Sequence, residues 1–323
     1  MRFTTTLAAA ALGLWAANAN AGELSFANYM PAGHPYVAGA FQPFADMVAE
    51  KTGGSVTVRV YSGGELGPGP VEQYNRAVDG VADFAISLPG YTASTFPLTL
   101  LAELPGVLDT ATGTRDLWDN IALLADEYQR VQLVSLWSNA PNSLYTSTVP
   151  VRSPADVKGL NIRVPSRNAG LQVEAWGGNP VSMPVNEIYN AMQTGVIDGA
   201  MIDTTATKAF KLGEVAKYLT TGFDATNSPF FVVMNRDSWK SLSEAEQAAV
   251  AEAGRKASDL ANSTQLRVAE DGVAAFRQMG GEVIALTETE AAAFNALSAP
   301  IVPKAVAETG GNAQAIVDAL SAE

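Results

Sequence analysis

The apolar residues of this chain keep changing their period, and the changes mark out its elements. Val37, Phe41, Phe44 and Val48 recur at helical spacing and predict a helix over 36–51, after an extended run over 24–29. Val56, Val58 and Val60 then alternate with Thr57, Arg59 and Tyr61, the period of a strand with one solvated face. The Gly- and Pro-rich run over 63–70 reads as a loop. A helix over 71–78 leads from it to a strand over 84–87. Strands alternating with helices in this way predict an α/β fold.

The second half repeats the rhythm with clearer punctuation. Ser153 followed by Pro154 is a helix N-cap with Pro at the first helical position, and Asp156 completes a short capping box. Lys158-Gly159 closes that turn, and Leu160 to Val164 reads as a half-buried strand carrying Arg163. A second helix follows, then an extended piece through Val181 and Met183, then a third helix over about 185–194. Gly195 takes the C′ position of that last helix. Residues 243–279 hold no proline and open with the capping box Ser243 to Glu246. Helical throughout, this stretch would be about 50 Å long, more than one lobe needs. Gly254 and Gly272 are where it would kink, or divide into two consecutive helices.

One internal echo bears on the architecture. Residues 74–85 align without gaps onto 189–200 with six identities: Tyr74, Asn75, Gly80, Val81, Asp83 and Ala85 against Tyr189, Asn190, Gly195, Val196, Asp198 and Ala200. Either two structurally related lobes produce it, or two segments have converged on the same helix-to-strand turn.

Composition narrows the chemistry. Met1-Arg2-Phe3, an apolar run to about Ala17 and Ala19-Asn20-Ala21 make a secretory signal peptide over 1–21, cut after Ala21. Its removal takes Arg2 and moves the formal charge from −13 to −14. There are no cysteines, which excludes disulfides, thiol catalysis, thiolate metal sites and a lipidated cysteine anchor. An exported, unanchored chain is expected in the periplasm of a Gram-negative bacterium. About 300 residues beyond the leader favour two lobes over one core. The acidic balance argues against nucleic acid, which rewards basic stripes. It does not argue against an anionic ligand, because surface charge is screened over about 8 Å and one contacting guanidinium outweighs it.

Groups able to react are scarce. His34 is the only histidine, and no nucleophile elbow, P-loop or zinc helix motif is present. Gly67 and Gly69 begin a dinucleotide-like loop, but Glu72 stands where its third glycine belongs. Glu103 and Asp109 are expected as solvated surface carboxylates, with an acid and base pair as the alternative. Arg163, at a strand end beside helix N-termini, serves either as an anion seat or in a structural salt bridge.

The segment 153–203 resembles the solute-binding proteins of TRAP (tripartite ATP-independent periplasmic) transporters of the DctP type. The matching residues include Asp156, Lys158-Gly159, Ile162-Arg163-Val164-Pro165, Pro180-Val181, Met183-Pro184, Glu187, Tyr189, Gln193-Thr194-Gly195 and Asp198-Gly199. The likeness runs through most of the chain and includes Met30-Pro31-Ala32-Gly33-His34. It implies an α/β, two-lobed periplasmic binding protein with crossing strands and a long helix spanning both lobes. Residues 22–140 and 229–268 would form the first lobe, 141–228 and 269–323 the second. It further implies that Arg163 pairs with the carboxylate of a small organic acid. The lobes would close over that acid and a TRAP membrane permease would receive it. No catalytic activity, cofactor or metal is expected, and the protein is expected to be a monomer. An exported carboxylate-using enzyme on the same scaffold, or a binding protein serving an ABC importer or sensor kinase, are the alternatives.

Two departures from the family pattern point to the far end of the ligand. Many members carry a second arginine about twenty residues before the first, where this chain has Ser143 beside Asn142. Many have Glu-Asn after the Asp-Gly, where this chain has Met201-Ile202-Asp203. Losing a cation disfavours a second carboxylate, so a monocarboxylate is expected in preference to a C4-dicarboxylate. Tyr91, Trp137, Phe230 and Phe231 are candidates to pack against an apolar or aromatic tail, with core packing as the alternative for each. His34, Pro165 and Met183 fall on expected cleft segments. Asp203 is a candidate acceptor for a ligand hydroxyl or ammonium.

Overall fold

The computed structural model describes residues 22–321, so the expected leader over 1–21 lies outside the described residues. The strands are β1 (Gly22–Ala27), β2 (Val56–Tyr61), β3 (Phe84–Ser87), β4 (Val131–Ser138), β5 (Ser143–Thr146) and β6 (Asn161–Val164). They continue with β7 (Asn179–Ser182), β8 (Gly199–Ile202), β9 (Tyr218–Thr221), β10 (Pro229–Asn235) and β11 (Glu282–Ala285). They form two sheets, ordered β2-β1-β3-β10-β4 and β11-β9-β5-β8-β6-β7. Each sheet is the centre of one lobe.

The strands expected over 56–61 and 84–87 form with those bounds. The helix expected over 36–51 forms in two parts, a π-helical turn at Val37–Phe41 and an α-helix at Gln42–Lys51. Gly39 in the first part touches the long C-terminal helix; a Cβ there would lie 2.5 Å from the Thr264 hydroxyl.

The internal echo falls on equivalent places in the two sheets. In the first, β1 lies between β2 and β3 and runs parallel to both. In the second, β6 lies between β7 and β8 and runs parallel to both. Helix Gln73–Val78 enters β3 as helix Ile188–Gln193 enters β8. Gly80 and Gly195 sit at those two turns with φ of +71° and +73°, left-handed values that disfavour a side chain. A strand from the other lobe's connection then pairs antiparallel on the far side, β10 on β3 and β5 on β8. The lobes are thus topologically related halves.

Three connections cross between the two sheets. The chain leaves the first sheet at β4, passes through 139–142 and enters the second at β5. It returns from β9 through 222–228 to β10. The two crossings bond to each other: Asn139 N–H donates to the Ser228 carbonyl at 3.2 Å and Asn142 N–H to the Thr226 carbonyl at 3.1 Å. The third crossing is the helix Glu244–Gln278, 35 residues without interruption. Its buried stripe is made of small residues at three- and four-residue spacing, among them Ala253, Gly254, Ala257, Ala261 and Gly272. The two glycines expected to kink it do something else. A Cβ on Gly254 would collide with the Val134 carbonyl of β4, and one on Gly272 with the Thr204 carbonyl after β8. Each glycine lets the helix touch the backbone of one lobe.

The C-terminal segment departs from the division expected for 269–323. β11 joins the second sheet beside β9, but Ile301, Ala305, Ala313, Ile316 and Leu320 pack with Leu101, Leu117 and Leu136 on the first sheet. The physical reason is an apolar face in need of cover. The long helix covers one face of that sheet through Val250, Ala253 and Ala257. The two terminal helices cover the other, where Phe231 and Val233 point.

Candidate functional site

A cavity opens at the junction of the lobes. Its wall comes from the carboxyl ends of parallel strands, where ligands of open α/β sheets sit. Tyr29 and Met30 follow β1, Leu88 and Tyr91 follow β3, Arg163 and Pro165 end β6, and Ile202 and Asp203 end β8. The crossings supply Asn139, Asn142, Ser228 and Phe230, and the long helix supplies Gln265.

Arg163 is 2% exposed and has no carboxylate within ion-pair reach among the described residues. It is held by neutral acceptors instead. Its Nε donates to the Met183 carbonyl at 2.8 Å, Nη1 to the Met201 carbonyl at 3.4 Å and Nη2 to the Tyr91 hydroxyl at 3.4 Å. A guanidinium has five N–H donors. One N–H on each terminal nitrogen is therefore free, which is the fork that grips both oxygens of a carboxylate. The Tyr91 hydroxyl accepts from Arg163 and also from the Val185 N–H at 3.2 Å, leaving its own proton to give. Burial lowers the pKa of Arg163, and the neighbouring Tyr91, Tyr29 and Glu103 act the other way. The ordinary titration range of a guanidinium lies so far above neutral pH that Arg163 stays charged.

Away from Arg163, the wall turns to acceptors. Asp203 is buried, which raises its pKa, and it accepts from the Thr205 N–H at 3.0 Å, Gln265 Nε2 at 3.0 Å and Asn139 Nδ2 at 3.4 Å. The wall is also aromatic. His34 packs on Tyr36 and Phe210 with centroids 5.0 and 5.6 Å apart, and Phe230 meets Tyr36 edge-on at 5.8 Å. Burial pushes the His34 imidazole down to about 4, so it is a neutral ring at pH 7.

Behind the cavity lies Glu103, 1% exposed, which is not the solvated carboxylate expected from the sequence. The short helix Thr99–Glu103 turns it inward, where the hydroxyls of Ser166 and Ser228 (3.2 Å) donate to it. Burial raises its pKa to about 7 against the pull of those donors and of Arg163. Ser166 caps helix Arg167–Ala175 of the second lobe, so Glu103 ties the first lobe to the second and to a crossing. Asp109 does not join it; its carboxylate accepts from the backbone of Ala111 and Thr112.

Of the residues singled out from the sequence, Arg163, Pro165, Asn142, Tyr91, His34, Asp203 and Phe230 line the cavity. Trp137 does not. It is stacked behind Phe230 at 5.5 Å, with Nε1 donating to the Tyr36 hydroxyl at 2.9 Å. Ser143 is buried at the start of β5 outside the wall, and Met183 contributes its carbonyl to Arg163 and no side chain to the wall. Phe231 points to the opposite face of β10 and packs on Phe96 at 5.2 Å. Sequence reasoning missed Tyr29, Tyr36, Asn139, Thr205, Phe210 and Gln265. Tyr29 and Tyr36 flank the Met30–His34 motif, which was the one signal available. Gln265 had a signal too, as a lone amide on an otherwise small and apolar helix stripe.

A family model described as bacterial extracellular solute-binding protein, family 7 (DctP) matches residues 26–309. A solute-binding protein of Chromohalobacter salexigens is 30% identical over 244 residues, 74% of this chain and 71% of its own. Among solved structures, a TRAP solute-binding protein from Rhodoferax ferrireducens in complex with copurified benzoate aligns with a TM-score of 0.87 at 24% identity. That match covers 93% of this chain and 97% of the other. A TRAP periplasmic solute-binding protein from Bordetella bronchiseptica, with bound (R)-mandelate and (S)-mandelate, aligns with a TM-score of 0.84 at 25% identity. It covers 94% of this chain and 98% of the other.

Proposed function

The chain belongs to family 7 of the bacterial extracellular solute-binding proteins, the TRAP solute-binding proteins, and from that premise we propose that it captures a small organic monocarboxylate and delivers it to a TRAP membrane permease. The observation that carries this reading is a buried Arg163 with two free N–H donors and no carboxylate partner among the described residues. An uncompensated buried charge is expensive, and a ligand carboxylate removes that cost. Tyr91 adds a third donor.

A single carboxylate is favoured over two. Among the described residues Arg163 is the one cationic side chain in the wall, and His34 is neutral. A second ligand carboxylate would meet no second cation there. The aromatic part of the wall suits an apolar or aromatic body, in line with the benzoate and mandelate of two structural relatives. Lobe closure shields the ion pair from water, and recognition of the closed form gives the permease a signal for loaded protein. Residues 1–21 fit export to the periplasm.

The test is calorimetry on protein stripped of ligand by unfolding and refolding, against benzoate, mandelate and succinate. Arg163→Lys keeps the charge and loses the fork. It should weaken binding of the preferred acid more than tenfold, at least about 2 kcal/mol. A Lys variant with the native dissociation constant, or a protein that binds succinate and no monocarboxylate, refutes the reading.

A further inference from the structure

The cavity has a second polar end that carboxylate capture leaves unexplained. Asp203, Thr205 and Gln265 are only 5%, 4% and 3% exposed, and all three line the cavity. Gln265 Nε2 donates to Asp203 Oδ2 at 3.0 Å, which fixes the amide orientation, since the flipped amide would set oxygen against oxygen. With the amide so placed, Gln265 Oε1 is buried and has no hydrogen-bond partner. Thr205 Oγ1 is likewise buried; it meets no partner at full hydrogen-bond geometry, but its hydroxyl lies near enough to Asp203 to help lower that group's pKa. The Thr205 hydroxyl can give one proton, which leaves Gln265 Oε1 a buried acceptor without a donor beside a buried carboxyl. A buried oxygen left without a partner costs about 1–3 kcal/mol, so this one signals a missing group.

The charges say which group is missing. The wall carries one cation, Arg163, and one carboxylate, Asp203. A ligand with only a carboxylate satisfies Arg163 and leaves Asp203 buried among neutral donors. A hydroxyl on the ligand supplies one proton, whereas an ammonium supplies three donors and a compensating charge. Three groups with acceptor oxygens stand at this end. The rings of Tyr36, Phe210 and Phe230 line the same wall, and aromatic rings also favour a cation.

From this arrangement we infer that the ligand is a zwitterion, an amine-bearing monocarboxylate whose carboxylate docks on Arg163 and whose ammonium docks on Asp203, Gln265 Oε1 and Thr205 Oγ1. The inference rests on the carboxylate seat proposed above and adds its opposite pole. Gln265 also places the long helix in the site, so the ammonium would link that helix to the end of β8.

The experiment uses matched pairs of acids that differ only in the amine. ω-Amino acids of three to six carbons are set against the plain fatty acids, phenylalanine against 3-phenylpropionate, and 3- and 4-(aminomethyl)benzoate against the methylbenzoates. Calorimetry on the stripped full-length mature protein reads the affinity ratio within each pair. At least one amine should bind tenfold or more tighter than its partner. In Asp203→Asn that ratio should fall to below threefold, and in Thr205→Val, a milder change that keeps the fold if the first variant does not, it should fall by at least threefold. Amine-free acids binding as tightly as their partners in every pair overturn the ammonium pole while leaving the Arg163 seat standing. A preference that survives both substitutions overturns it as well. If no acid of either kind binds, the carboxylate seat itself fails, and the inference falls with it.

Discussion

Glu103→Gln tests whether a carboxyl buried between the lobes titrates near neutrality. The unfolded carboxyl has an ordinary value of 4.5, and in the fold it stands at about 7 because burial disfavours its charge. The folded protein therefore holds this proton more tightly than the unfolded chain does. Stability falls as pH rises wherever the native state binds more protons. The penalty is absent below about pH 4.5, grows through the window to about 7 and is complete above it. At about 1.4 kcal/mol per pH unit it amounts to about 3 kcal/mol. Gln keeps the shape and cannot ionise. It exchanges one acceptor for an amide, and that constant cost cancels when one variant is compared with itself at two pH values. Urea unfolding of ligand-free protein at pH 5 and pH 8 gives the four free energies needed. Between these values the native protein should lose about 2–3 kcal/mol more than Glu103→Gln does. Parallel profiles would refute the reasoning, and would mean that Glu103 is either ionised throughout or not enclosed in solution.

His34 should act with the opposite sign, since its folded value of about 4 lies below the ordinary 6.5. The penalty for charging it is absent above pH 6.5 and grows as pH falls toward 4, so His34→Gln should flatten the acid side of the stability profile by about 2 kcal/mol between pH 7 and 4.5. Urea unfolding at pH 4.5 and 7 checks this, and an unchanged acid limb refutes it. Gly272→Ala gains about 1 kcal/mol of helix propensity but drives a Cβ into the Thr204 carbonyl, a backbone atom that cannot rotate away. Overpacking of that kind costs about 1–3 kcal/mol, so the melting temperature should fall and ligand affinity with it, because Thr204 adjoins Asp203. A raised melting temperature would show that the helix does not touch the second lobe there.

The α/β rhythm, the capping boxes at Ser153 and Ser243, and the glycine turns at Gly80 and Gly195 were legible because they are local. Each depends on the backbone preferences and side-chain reach of a few neighbouring residues. Arg163 was legible for a different reason: the wording around it resembles a known family, whereas its strand position alone allowed a salt bridge equally well. The tertiary structure buries Arg163 without an acidic partner among the described residues, which speaks against the salt bridge.

Much of the site was decided only by the fold. Phe230 and Phe231 are adjacent in sequence and equally aromatic. The pleat of β10 sends one toward the cavity and the other to the opposite face of the sheet. Trp137 looked like a ligand platform until its stacking behind Phe230 showed that it supports one. Gly254 and Gly272 looked like breaks in a helix. Their role as contact points depends on carbonyls more than 60 residues away in the chain. Asp203 and Gln265 are 62 residues apart and meet only because the long helix crosses the end of β8. Periodicity and capping act over a turn or a strand, so the chain specifies its elements almost unaided. Which side chains share a cavity, and which buried oxygens there lack a donor, depends on how those elements pack, and no local rule carries that information.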